Sequence, residues 1–503
     1  MRAVVDFAAK RAELSADSLA FEEIETGRRI TFADFNQRAE RCAAAFERLA
    51  IAPGDRVAIL CHNSATFFEI LFGCGKIGAI LVPLNWRQTP AELSPIAADC
   101  GARLLLHDGA NASLAQAVTR TSDLRVLSFQ NYETLIAEAP PAWHRDSAWA
   151  ADRIWYLLYT SGTTGRPKAV IQTVGMALAN YINIQQATAL TAADRALNFL
   201  PLFHTAGINL HTLPVFIAGG CSAVLPKFEP GPVLDLIAEG RLSLFFGVPA
   251  VYQALSLDAR FAGVDLSQVR HWGCGGAPLP ESLIRTFLAK GVRVCNGMGM
   301  TETGPTVFLM DAARAPEKIG SVGKPQLLAE VRLVDAQERD VPEGERGELL
   351  FRGPGITPGY FNNPDATAKA FDVQGWLRSG DVGRRDADGY YYIVDRIKDM
   401  YISGGENVYP AEVESALANH PAVLEAAVVG VTDERWGEVG HAFVMLRAGA
   451  APVTAAEVIQ FCRANVAGYK TPRHVTFVDD FPRTAAGKIR KHLLTPAPNA
   501  PSR

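Results

Sequence analysis

Ten residues, Tyr159 to Lys168 (YTSGTTGRPK), constrain this chain more than any other stretch. Gly162 and Gly165 stand among four hydroxyl side chains, Thr160, Ser161, Thr163 and Thr164, and the run ends on Lys168. Glycines let backbone approach a ligand closely, and successive N–H groups in such a loop form an anion-binding nest. Hydroxyls and a lysine suit the same guest, a polyphosphate. The spacing is not that of a Walker loop, which opens onto a helix. Here Ile154 to Leu158 and Ala169 to Gln172 are both strand-like, so the loop is expected to join two strands. A surface Gly/Thr hairpin is the competing reading, and the rest of the chain has to decide.

A chain of 503 residues can build a large core and more than one domain. Its 48% hydrophobic and 20% charged content is that of a soluble globular protein. The net charge of −4, from 49 basic and 53 acidic residues, makes no case for a nucleic-acid or acidic-membrane partner. Eight scattered cysteines without a CxxC pair read as buried reduced thiols of a cytoplasmic protein, not as a disulfide framework or metal site. The N-terminus carries charges through its apolar positions and reads as an amphipathic helix, not a signal peptide. The most apolar stretch, Phe67 to Pro83, is interrupted by Glu69 and Lys76 and fits a buried helix followed by a strand better than a membrane span.

Along residues 1 to about 150, and again after the loop, helical and strand segments alternate. The pattern predicts an α/β fold with parallel sheets covered on both faces. From Ile319 to Phe351 short strands with turns predict a β-rich subdomain. The domain boundary falls near Asp395 to Asp399, giving a large N-terminal domain, 1–397, and a small mobile α+β C-terminal domain, 398–503. In the latter, helices over 410–419 and 454–466, the second capped by Thr454, alternate with strands over 426–431, 441–446 and 474–478.

Further stretches have the wrong composition for mere packing. Gly273 to Leu279, with Gly275, Gly276 and Ala277, follows a strand and offers backbone on which a flat ring can lie, or else a plain βα turn. Asn296 to Glu302 (NGMGMTE) brings Thr301 and Glu302 to a strand's C-terminal end, where open α/β sheets bind ligands. An acid beside a phosphate site calls for a divalent cation, and Mg²⁺ prefers a carboxylate plus phosphate oxygens; an exposed loop acid is the alternative. Asp381, closing GWLRSGD, suits two ribose hydroxyls, or is a turn aspartate like Asp386 and Asp388. Asp395-Arg396 adds a second ribose or phosphate contact, or a surface ion pair worth little. Lys488 ends PRTAAGK; alone, it reads as a solvated surface charge.

Taken in order and spacing, YTSGTTGRPK, GMGMTETG, GWLRSGD, DRIKDMYISGGENVYP and PRTAAGK resemble the adenylate-forming acyl-CoA synthetases, over nearly the whole chain. The wording is most similar to bacterial fatty-acyl-CoA ligases of the shorter type. That resemblance implies two half-reactions: a carboxylate attacks the α-phosphorus of MgATP, and coenzyme A then displaces AMP from the acyl-adenylate. It implies that Thr160 to Lys168 hold the β- and γ-phosphates, that Thr160 and Glu302 surround Mg²⁺, and that Gly275, Gly276, Ala277 and Asn296 to Thr301 line adenine and the α-phosphate. Asp381 would bind ribose with Arg396 close by, and Lys488 would bridge carboxylate and α-phosphate.

The same resemblance places Lys398 at a hinge, Gly404 and Gly405 along a pantetheine tunnel and Trp436 against the coenzyme, unless Trp436 is a buried core aromatic. Met298 stands where many members carry an aromatic that stacks on adenine; a thioether covers a ring more loosely. Tyr181, His204, Phe246 and the Gly297 to Gly299 backbone would form the acyl pocket, with His204 as its gate. His204 occupies a position where amino-acid-activating members place an aspartate, which argues against an amino acid. The implied activity is an acid–CoA ligase, with a fatty acid as the favoured substrate and a benzoate-, furoate- or cinnamate-type acid as the alternative. A stand-alone adenylation enzyme loading a carrier protein, a nucleotide sensor without activity and a luciferase-like oxygenase are the other readings. A homodimer is compatible with the sequence.

Overall fold

The computed structural model describes residues 2–120, 123–140, 148–160, 167–277, 279–404, 406–484 and 487–494. The expected alternation does build mixed α/β layers. A six-stranded sheet runs in the order Lys168–Thr173, Ile154–Thr160, Ile80–Pro83, Arg56–Leu60, Ala102–His107, Arg125–Ser128. All neighbours in it are parallel except the first pair. A nine-stranded sheet has a parallel centre, Cys221–Val224, Arg195–Asn198, Leu244–Gly247, His271–Cys274 and Val294–Met298.

Helix Ala65–Ile77 is buried along its whole length and touches both sheets, through Ile80–Pro83 and Ile154–Thr160 on one side and Leu19–Glu23 on the other. Its two charged interruptions are paired inside the protein. Glu69 accepts from Arg28 at 2.9 Å and Arg38 at 2.7 Å, and Lys76 donates to Asp6 at 2.6 Å and Asn36 at 2.9 Å. Removing one partner of such a buried pair costs about 3–5 kcal/mol, so these charges fix the helix in place. No helix among the described residues is long and apolar enough to cross a membrane. All eight cysteines are buried free thiols, as their spacing suggested.

Two smaller sheets follow. A four-stranded antiparallel one, Glu330–Val334, Arg346–Arg352, Leu377–Arg385 and Tyr391–Arg396, is the expected β-rich part. A five-stranded one is built wholly from residues after Tyr401, with helices Pro410–Ala418 and Ala455–Asn465. Thr454 caps the second helix in a full capping box with Glu457.

One local reading needs revision, and two elements lie where the sequence carried no reading. The opening helix, Phe7–Ser15, is preceded by a strand, Ala3–Val5, that pairs with Ala148–Ala150; Asp6 ends the strand by capping the helix. Helix Pro249–Leu257 buries one face through Val251, Tyr252 and Leu255. A π-helical turn, Ala206–Leu210, leads into helix Thr212–Ala218.

Candidate active site

The strands either side of the Gly/Thr loop form an antiparallel hairpin with Thr160 opposite Lys168, as their composition predicted. Thr160 Oγ1 donates to the Lys168 carbonyl at 3.5 Å. Ser161, Gly162, Thr163, Thr164 and Gly165 lie outside the described residues. Beside the hairpin runs segment 357–361, held by Phe361 N–H to Ala169 O at 2.8 Å, Ile171 N–H to Gly359 O at 3.2 Å and Thr357 Oγ1 to Ile171 O at 2.7 Å. That rung sets the Tyr360 ring 5.0 Å from Lys168 Nζ and lets its hydroxyl donate to Glu302 Oε1 at 2.9 Å. Burial, with the Glu302 charge beside it, raises the phenol pKa, so Tyr360 stays a proton donor. No motif pointed to Tyr360; its partner lies 58 residues away in sequence and only the fold joins them.

Glu302 sits on the short turn Thr301–Thr303 after strand Val294–Met298 and is 8% exposed. It is not the exposed loop acid of the alternative reading. Its backbone is pinned by Thr357 N–H at 2.8 Å, and Gln172 Nε2 donates to the Thr301 carbonyl at 2.8 Å. Glu302 Oε2 has no hydrogen bond among the described residues, and Asn296 Oδ1, at the same strand end, is buried without a partner. No cluster of three or more His, Cys, Asp or Glu exists among the described residues. A single carboxylate with one free oxygen fits Mg²⁺, which takes one or two carboxylates and completes its shell from phosphate and water. Gly275, Gly276 and Ala277 follow strand His271–Cys274, adjacent to Gly297 and Met298, which end the next strand, and Gly299 just beyond. Met298 is half-buried against the cluster of Phe308 and Tyr391.

On the other wall, Asp381 is 4% exposed and accepts from Arg396 Nε at 3.0 Å across the strand pair Leu377–Arg385 and Tyr391–Arg396. Burial weakens it as an acid, while Arg396 and Lys488 oppose that effect. Asp386 and Asp388 are turn residues that bind Lys318, as read. Asp395 does something else. Its carboxylate accepts from the N–H groups of Arg396 at 2.7 Å and Ala411 at 2.8 Å, tying the last strand of the β-rich sheet to the start of helix Pro410–Ala418. It is a structural link, and the buried ion pair at the cleft wall is Asp381 with Arg396.

Lys488 follows a turn closed by Thr484 N–H to Lys488 O at 2.6 Å and Lys488 N–H to Thr484 Oγ1 at 3.1 Å, with Gly487 at φ +79°. Arg483 braces it, donating to Gly487 O at 3.2 Å and Glu425 at 3.1 Å. The turn faces the N-terminal part: a Cβ on Gly487 would stand 4.0 Å from Val248 Cγ2 and Ala250 Cβ. Lys488 is exposed to solvent, with charged groups of both parts of the chain acting on it. Desolvation first, then the cations Arg396 and Lys398, lower its pKa to about 8 against the pull of Asp381 and Glu302. Five of the charges singled out from sequence therefore meet around one cleft.

His204 opens toward the same place. Its Nε2 is buried without a hydrogen bond, its ring lies 4.8 Å from Phe203, and desolvation, then Lys488 and Arg87, lower its pKa to about 4. It is neutral at physiological pH. Phe246 lies at the sheet surface over Gly273 and Gly275, while Tyr181 packs further along, against Leu190, Ala196, Val215 and Leu244. Arg87, stacked 4.8 Å over Trp86, was not singled out from sequence and is brought next to His204 only by the fold.

The family profile described as AMP-binding enzyme matches residues 8–361, and that of the AMP-binding enzyme C-terminal domain matches residues 412–488. The chain is an AMP-binding enzyme. It is 41% identical to a feruloyl-CoA synthase of Amycolatopsis sp over 482 residues, 96% of each chain. It is 36% identical to a long-chain-fatty-acid–CoA ligase of Mycobacterium tuberculosis over 493 residues, again 96% of each. The structure of o-succinylbenzoate CoA synthetase from Bacillus subtilis with its acyl-adenylate intermediate superposes with a TM-score of 0.90 at 30% identity, covering 99% of each chain. This AMP-binding enzyme is an acid–CoA ligase.

One further group from the sequence lies on the C-terminal sheet of the ligase. Gly404, at φ +60°, donates its N–H to Trp436 O at 2.8 Å, and a Cβ there would strike the indole at 2.7 Å. Only glycine fits. Trp436 is half-exposed, not a core aromatic, and carries Arg435 and Arg473 at 5.1 and 5.6 Å. Lys398 is exposed, between the two sheets, and Gly405 lies outside the described residues.

Proposed function

We propose that this ligase joins an aromatic carboxylic acid to coenzyme A through an acyl-adenylate, with ATP and Mg²⁺. The reacting groups are both anions, so the site must supply cations and fixed dipoles where charge develops. Lys488 bridges the attacking carboxylate and the α-phosphate. Thr160 and Lys168, with the loop between them, hold the β- and γ-phosphates. Asp381, with Arg396, takes the ribose hydroxyls, and Gly275 to Ala277 and Asn296 to Thr301 receive adenine and the α-phosphate. Glu302, aided by Thr160, would hold Mg²⁺, which supplies charge neutralisation between the phosphates. Tyr360, donating to Oε1, aims the Glu302 carboxylate. His204, neutral, separates the carboxylate from the acyl pocket without adding charge.

The observation that carries this reading is the meeting of Lys488 with Asp381, Arg396 and Glu302 in one cleft, drawn from sheets far apart in sequence. Residues 398–503 would then turn as a body about Lys398, taking Lys488 away and bringing Gly404, Gly405 and Trp436 to the coenzyme. For the acid, the fatty-acid preference inferred from motif wording gives way to an aryl acid. Phe246 lies against Gly273, where a Cβ would meet its ring at 2.5 Å, so an aromatic side chain already borders the acyl side. The feruloyl-CoA synthase relative supports this side of the choice. A pyrophosphate-release screen over C2–C18, benzoic and cinnamic acids, with and without CoA, tests it. Aryl acids should lead; a maximum among C12–C18 acids would restore the fatty-acid reading.

A further inference from the structure

Two histidines outside the phosphate cleft have no evident structural task. His211 is 5% exposed and His271 8%, their ring centroids are 6.2 Å apart at 66°, and neither imidazole has a hydrogen-bond partner among the described residues. A neutral imidazole carries one N–H donor and one lone pair, so each ring keeps polar groups that a ligand could meet. Phenylalanine would fill either place at lower cost.

Both are aimed at the acyl side. His271 and Gly273 point to the same face of their strand, and Leu244 and Phe246 lie opposite them in register on the neighbouring one. Phe246 lies against Gly273, and a Cβ on Gly273 would meet Phe246 Cδ2 at 2.5 Å and His271 Nε2 at 3.5 Å. From the chain on the far side, the π-helical turn Ala206–Leu210 delivers His211, whose ring is 6.0 Å from that of Phe246. π-turns cost hydrogen-bond geometry and recur at functional sites. Asn198 holds this one open by donating to Gly207 O at 2.8 Å and Thr212 Oγ1 at 2.7 Å.

Charge does not compete there. Behind the pair, Arg270 is spent on Asp194 Oδ1 at 2.8 Å and Oδ2 at 2.6 Å. Desolvation keeps both rings neutral. His271 also opens the strand whose other end carries Gly275 and Gly276, three steps from Cys274, or roughly 10 Å at strand rise.

We propose that His211 and His271 form the polar floor of the acyl pocket and select a phenolic acid by hydrogen-bonding its ring hydroxyl. The proposal rests on the aryl-acid reading above. A site built around a hydroxyl discriminates strongly against the analogue that lacks it, because the polar groups are then left unpaired.

The test compares kcat/KM for 4-hydroxycinnamate and cinnamate in the wild type, His211→Phe, His271→Phe and His271→Asn, with the ATP-induced rise in melting temperature reporting that each variant is folded. The wild type should prefer the hydroxylated acid by roughly 10- to 100-fold. Either phenylalanine variant should bring that ratio toward one, and His271→Asn, which keeps a donor and an acceptor, should restore part of it. A wild-type ratio near one, or a ratio unchanged in folded phenylalanine variants, overturns the assignment while leaving the aryl-acid reading intact. Turnover of fatty acids with neither aromatic acid accepted overturns both.

Discussion

Glu302 and Lys488 are charges of opposite sign at one cleft, and they are built in opposite ways. Glu302 is 8% exposed, its backbone is pinned by Thr357, and its carboxylate is held at 2.9 Å by Tyr360. Lys488 stands on a turn of the C-terminal sheet, and its ammonium makes no hydrogen bond among the described residues. The first is preorganised: its orientation is set before any nucleotide arrives, and no reorganisation is needed during reaction. The second is the one the proposed mechanism has the C-terminal part deliver and then withdraw. The contrast teaches that the nucleotide platform and the catalytic cation are separable, which is what an enzyme with two successive half-reactions requires.

The largest effect should come from the delivered side. Lys488→Ala is expected to lower overall acyl-CoA formation by about 10²–10³-fold, the range for removing one preorganised charge partner of a transition state, measured as steady-state kcat/KM. Because desolvation, with Arg396 and Lys398 beside it, lowers the free-enzyme ammonium to about 8, its charge is present below that pH and lost as pH rises through it. The adenylation kcat/KM should therefore fall above pH 8 in the wild type, and Lys488→Arg should move that fall to higher pH.

On the platform side effects should be smaller and should fall on binding. Asp381→Asn leaves Arg396 without its buried partner and weakens the ribose contact, raising the KM for ATP by roughly tenfold, as loss of a charge-assisted hydrogen bond does. Smallest, Tyr360→Phe removes one neutral donor from Glu302 and should raise the Mg²⁺ concentration for half-maximal rate by about fivefold, from a net hydrogen bond of about 1 kcal/mol. If Tyr360→Phe proved more damaging than Lys488→Ala, the division between platform and delivered cation would be reversed.

Sequence made the delivered side and the strand ends legible for a physical reason. Lys488, Glu302 and Asp381 each sit in a short local signature, a Gly turn or a strand end, whose composition is costly unless it meets a ligand. Helix Ala65–Ile77 was legible because its charged interruptions ruled out a membrane span, though not their partners Arg28, Arg38 and Asp6. Contacts made through space were silent. Tyr360 has no motif, Asp395 looked like a ligand residue until its two N–H partners were seen, and the His211–His271 pair lies 60 residues apart with nothing local to single it out. The π-turn at Ala206–Leu210 was equally hidden, because it depends on Asn198 from a neighbouring strand.

The central claim is that Lys488 serves adenylation and that the rest of the site holds what it acts on. Single-turnover measurement of both half-reactions in Lys488→Ala tests it directly: acyl-adenylate formation from acid and ATP, and thioester formation from supplied acyl-adenylate and CoA. The first should fall by about 10²–10³-fold while the second stays within about threefold of wild type. Equal loss in both would contradict the account.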